Sequence, residues 1–193
     1  RRSTLRKKKK KDKDGNIIPD RTPKQRKNNI KFTFARYMFA FIREGFGDLP
    51  VWKIAAAQRG MTDDNLIHST NYKYLDEKGE ILDMEGFQVS LGPLALPINL
   101  RATRNSTLVT ITWDDSRDNP SAAPTDRMMV GIFYANYRDT FTLEKETGAT
   151  RRDGKCEITL RNDDGEVCIH PFFARADNTA FSEDKTITLP DTE

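Results

Sequence analysis

At 193 residues the sequence has room for one ordinary domain with attachments or for two small ones, and 36% hydrophobic against 32% charged residues leaves a core with little to spare. No stretch approaches the ~20 apolar residues of a membrane span, and two cysteines, Cys156 and Cys168, are too few for a disulfide framework or a Cys-rich zinc site. The net charge of +3 conceals an asymmetry: residues 1–27 hold thirteen Lys/Arg and three Asp, and the remainder hold 19 Lys/Arg against 26 acids. A basic arm of net +10 is therefore joined to an acidic body of net −7.

The arm, residues 1–21, centres on the unbroken run Arg6, Lys7, Lys8, Lys9, Lys10, Lys11, followed by Lys13 and a turn dipeptide, Asp14-Gly15. It has too little apolar content to fold alone. Residues Asp12-Lys13-Asp14-Gly15-Asn16 open like a calcium loop, but Pro23 stands where the closing Glu belongs, which favours a hairpin turn.

Residues 22–96 form a helical region and its connection. Thr22, Pro23 and Gln25 spell a capping box with proline at the first helical position, and Gly45 and Gly47 supply the stop. Ile30, Phe34, Tyr37, Met38, Phe41 and Ile42, three or four apart, predict one amphipathic helix over 23–44. Its aromatics run round the cylinder: Phe32 and Phe39 lie away from Phe34, Tyr37 and Phe41. A helix that is apolar on several sides needs several packing partners. Those partners are the rest of the chain or another subunit. Short helices are expected at Val51–Arg59 and from Asp63 to about Tyr74, then a strand or an ordered connection over Ile81–Leu91.

From Ile98 the period changes to two. Seven strands are expected: Asn99–Thr103, Thr107–Trp113, Arg127–Ala135, Asp139–Leu143, Lys155–Leu160, Val167–Arg175 and Lys185–Leu189. Turn-rich segments such as Asp114–Pro120 and Asn162–Gly165 separate them, which points to a β-sandwich over 97–193. The fold class is thus α+β: basic arm, helices, then an all-β sandwich.

Pro97-Ile98-Asn99-Leu100 and Leu108 to Trp113 resemble the first two strands of a fibronectin type III domain, whose pattern buries a Trp at the end of the second strand. Phe172 to Asn178, with Ser182 beyond, resembles its sixth strand and the turn after it. This immunoglobulin-like resemblance implies that Cys156 and Cys168 lie on opposite sheets, where they would either face each other across the core or stay free. Pro171 departs from the pattern and implies a bulge or an exposed edge. Over nearly its full length the chain also resembles a family of uncharacterised Bacteroidetes proteins with a domain of unknown function. That resemblance is carried by Thr22-Pro23-Lys24-Gln25, the aromatic helix, Trp113-Asp114-Asp115 and Ala123 to Arg127, and it implies an architecture without an activity.

Catalytic parts are sparse. His68 falls on a helix, and Cys168 and His170 fall on one face of a strand with no nucleophile elbow or oxyanion hole nearby. No CxxC or HxxxH spacing suggests a metal. The expectation is a non-catalytic structural or assembly protein without cofactor or metal, making protein contacts in a homo-oligomer. On that reading Arg6, Lys7 to Lys11 and Lys13 meet an acidic partner surface, and Phe32, Phe34, Tyr37, Phe39 and Phe41 pack a helix or subunit. The alternative puts nucleic acid on residues 1–27, whose charges would displace counterions from phosphates without reading sequence. A virion or cytoplasmic location is favoured. The chain opens without Met, which leaves a removed leader, and so the cell surface, open.

Overall fold

The computed structural model describes residues 11, 13–14, 16, 22–96, 98–114, 119–162 and 165–191, with side chains described throughout except at 137–140. Arg6, Lys7, Lys8, Lys9 and Lys10 lie outside the described residues, as do Gly15, Pro97 and the turn residues 115–118 and 163–164.

Helix α1 (Pro23–Phe46) begins as its grammar demands. The Thr22 hydroxyl accepts from the Gln25 amide at 3.2 Å, and the Gln25 side chain accepts from the Thr22 amide at 2.9 Å. Gly47, with φ +59°, closes it. Helices α2 (Val51–Ala57) and α3 (Asp63–Asn71) follow, the latter capped by Thr62 and continued by a 3-10 turn over Tyr72–Tyr74. Of the two forms expected over Ile81–Leu91, a strand or an ordered connection, the structure has the connection, with a Leu75–Ile81 bridge at its start. Its backbone groups are engaged elsewhere: Gln88 by Asn71, and Val89 and Ser90 by Asp184.

Seven antiparallel strands then build two sheets. Strands β1 (Ile98–Asn105), β2 (Leu108–Asp114) and β5 (Lys155–Thr159) form one, in the order β1-β2-β5. Strands β3 (Arg127–Tyr134), β4 (Tyr137–Glu144), β6 (Val167–Ala174) and β7 (Ile187–Leu189) form the other, in the order β4-β3-β6-β7. This is the strand order of a fibronectin type III-like sandwich, so the molecule is α+β with an immunoglobulin-like β-sandwich.

The four-stranded sheet is a middle layer. Met128, Val130, Ile132, Tyr134, Val167, Ile169 and Phe173 face the other sheet and enclose Val109, Ile111 and Trp113. Met129, Phe133, Cys168, Phe172 and Ala174 face the helices and meet Phe39, Ile42, Phe46, Val51 and Trp52. Burial on both faces is why β3 and β6 run almost continuously apolar and do not alternate. The helical region therefore builds a second core on the outer face of the sandwich's four-stranded sheet.

Pro171 needs neither a bulge nor an outer edge: it sits buried in central β6 and pairs with Val130 in an unbroken register with β3. Its carbonyl accepts from Lys185, so its missing amide hydrogen falls on the β7 side. The ladder to β7 covers only residues 167 to 169, so no ladder donor is lost there.

Candidate interaction surface

α1 carries six Lys/Arg and one acid, so the positive charge of the arm continues through it. Residues 1–46 hold 16 Lys/Arg against four acids, and residues 47–193 hold 16 against 25. The folded chain is divided at Phe46 into a segment of net +12 and a body of net −9. Lys11 and Lys13 of the arm are exposed.

The buried face of α1 is Ala35, Met38, Phe39, Ile42 and Phe46. Phe39 belongs to the core at 3% exposure, while Ile30, Phe34, Tyr37 and Phe41 stay 51%, 47%, 62% and 52% exposed on a second face. Phe32, at 45% exposure, covers His68, with ring centroids 5.0 Å apart. Periodicity alone admitted either stripe as the inner one. The inner stripe meets the sheet closely at Gly45, where a Cβ would stand 2.5 Å from the Phe141 ring of β4.

An acidic connection lies along the N-terminal half of α1. Residues 76–86 include Asp76, Glu77, Glu80, Asp83 and Glu85 against one Lys. Glu77 pairs with Lys27 at 3.0 Å, and Lys31 donates to the Leu75 carbonyl at 2.5 Å with its ammonium over the Tyr72 ring. Gly79 permits this approach: a Cβ there would stand 2.3 Å from the Cβ of Phe34, and φ is +82°. Asp76 Oδ1 accepts from the Lys78 and Glu80 amides and fixes the turn. Sequence reading missed this loop as a partner of α1, although its charge run was the signal.

Shallow clefts open on the surface, one of them beside α1. One, of about 250 Å³, is lined by Phe32, Arg36, Phe39, Arg43, Asp64, Asn65 and His68. Arg43 and Asp64 are ion-paired across it. His68 stacks on Tyr72 at 4.4 Å, and burial holds its imidazole below the ordinary pKa. The other is an apolar groove between Leu82, 72% exposed, and the ends of β3 and β6.

The histidine on β6 has a partner that sequence did not show. His170 Nδ1 lies 2.7 Å from Asp184 Oδ2, with both side chains buried, and Asp184 Oδ1 accepts from the Val89 and Ser90 amides at 2.9 Å each. The pair is built as a strut that ties the connection to β6. Cys168 shares its strand face but hydrogen-bonds Thr188, and burial pushes its thiol pKa up. Cys156 is pushed up to about 12, by burial and then by Glu157. The two cysteines do lie on opposite sheets. They do not face each other across the core: Cys156 points between the sheets and Cys168 towards the helices, and both are free. Among the described residues no three His, Cys, Asp or Glu side chains are grouped to hold a metal, and no helix is long and apolar enough to cross a membrane.

No family model and no curated protein matches the chain. Among solved structures it is similar to one titled "Myokine structure", at 14% identity over 52% of this chain and all of that one, with a TM-score of 0.38.

Proposed function

We propose that this protein is a non-catalytic structural or assembly component, possessing a rigid sandwich body and a basic arm that docks on the acidic surface of a neighbouring copy. The observation that carries this reading is the separation of charge, +12 before residue 47 and −9 after it. A chain divided in this way attracts its own copies head to tail. The Lys27–Glu77 pair is a small example within one chain of the contact that Arg6, Lys7 to Lys11 and Lys13 would make on a neighbour. The non-catalytic part is supported by the chemistry at hand, since burial raises both thiol pKa values and the buried His170 is paired with Asp184, whose other oxygen is held by two backbone amides. Membership of the Bacteroidetes family that the sequence resembles, and a place in a virion or other homo-oligomeric assembly, are two further and separate parts of this proposal.

The second reading, non-specific binding of nucleic acid through residues 1–27, is favoured by the six consecutive basic residues Arg6 to Lys11. Solution mass, measured with the full chain and with Lys7 to Lys11 replaced by Ser, separates the two. Assembly that is lost in the variant and weakened by salt supports the arm-to-body contact. Unchanged assembly together with lost DNA or RNA affinity would replace it with the nucleic-acid reading.

A further inference from the structure

The exposed face of α1 has a spacing that its burial does not explain. Ile30, Phe34, Tyr37 and Phe41 follow one another at four, three and four residues, and one further step of three at each end reaches Lys27 and Glu44. This alternation of three and four is the seam of a two-helix coiled coil. Beside it, Thr33 and Ala40 are small and uncharged and permit close approach. Glu44, the helix's one acid, stands on the seam itself.

We infer that this seam binds the same helix of a second copy, antiparallel, about a two-fold axis at the Phe34–Tyr37 turn. In that register Phe34 meets the partner's Tyr37, Ile30 meets the partner's Phe41, and Lys27 meets the partner's Glu44. Four apolar layers are closed at each end by an ion pair, and every contact is made twice, as an isologous interface requires. Charge selects this arrangement. Parallel helices would set the six basic residues of α1 beside their own copies, with Glu44 against the partner's Glu44. The existing Lys27–Glu77 pair leaves its side chains 64% and 67% exposed, so Lys27 has room for a second carboxylate. The interface deepens the assembly reading but does not use the arm. Its salt dependence has the opposite sign, because screening relieves repulsion between two basic segments.

Sedimentation equilibrium of the full chain at about 100 µM in high salt tests it. The wild type sediments as a dimer. Phe34→Ser with Tyr37→Ser raises the dissociation constant about 100-fold or more, since each lost aromatic counts twice, and circular dichroism stays unchanged because both side chains are already exposed. At low salt, where the end ion pairs are unscreened, Glu44→Lys weakens the dimer about 10-fold, and adding Lys27→Glu restores it. A monomeric wild type, or a dimer indifferent to the two Ser substitutions, overturns the inference. If that indifferent dimer then dissociates when Lys7 to Lys11 become Ser, the arm-to-body contact stands and the α1 seam does not. Failure of the charge swap to restore the dimer overturns the antiparallel register.

Discussion

Between the two sheets, residues two apart in sequence point the same way and meet partners fixed by strand register: Val109, Ile111 and Trp113 against Val130, Ile132 and Phe173. On the other face of the same four-stranded sheet, Phe133, Phe172 and Ala174 meet α1, α2 and a connection without regular structure. The first layer is closed by side-chain packing, with the buried Arg151–Asp126 pair beside Trp113 and Phe173. The second also needs polar struts, because the backbone of 87–90 has no strand or helix to satisfy it. Asn71 holds Gln88, and Asp184 holds Val89, Ser90 and His170. The two layers should accordingly fail differently when a single residue is removed.

The largest effect is expected from Trp113→Ala in the inter-sheet layer. The indole is 5% exposed, lies edge-on to Phe173 at 5.7 Å, and donates from Nε1 to the Arg151 carbonyl at 2.7 Å. Arg151 in turn lies over Phe173 and pairs with buried Asp126. Urea denaturation should show a loss of ~3–5 kcal/mol, the usual range for a large aromatic cut to Ala in a core. A loss below ~1 kcal/mol would mean that this layer is not the main store of stability.

On the helix side, Asp184→Ala leaves two buried amides and His170 without their acceptor, at a cost of about 3 kcal/mol. Hydrogen exchange sharpens the comparison. The Val89 and Ser90 amides should exchange far faster in the variant, while those of β2 and β5 keep their protection. Equal acceleration in both layers would show that the two cores open as one unit.

The difference between the layers also marks what could be read in advance. Every expected strand exists within a few residues, because alternation in β2 and the apolar runs of β3 and β6 are local patterns. The α1 capping box was legible for the same reason. Asp184 was not: it follows Ser182 and Glu183 in a segment that reads as an acidic turn, and its burial depends on amides 94 and 95 residues away. The two apolar stripes of α1 were both visible. Which one turns inward depends on the tertiary fit, such as that of Gly45 against Phe141 of β4, and helical spacing does not contain that contact. The acidic residues between Asp76 and Glu85 were visible only as composition, since their position along α1 depends on the close fit of Gly79 against Phe34.

The smallest effect expected is a pH dependence confined to the helix side. His68 is enclosed by Phe32, Phe39 and Tyr72, with ring centroids at 5.0, 6.0 and 4.4 Å, and its buried Nε2 has no hydrogen-bond partner among the described residues. Burial disfavours the imidazolium, so the folded-state pKa lies below the ordinary 6.5. The unfolded chain then takes up the proton first as pH falls. Stability from neutral His68 is therefore fully present above pH 6.5 and declines as the solution is acidified through that value, until the folded pKa is reached. Each other titrating group is common to the wild type and to His68→Gln, so the difference between their stability curves isolates this residue. The wild type should lose more stability than the variant between about pH 7 and pH 5, and amide protection factors in α3, taken relative to the intrinsic rate at each pH, should fall over the same interval. Parallel stability curves for the two proteins would show that the ring is solvated from the Arg36–Arg43 cleft, and that burial there is too shallow to govern its protonation.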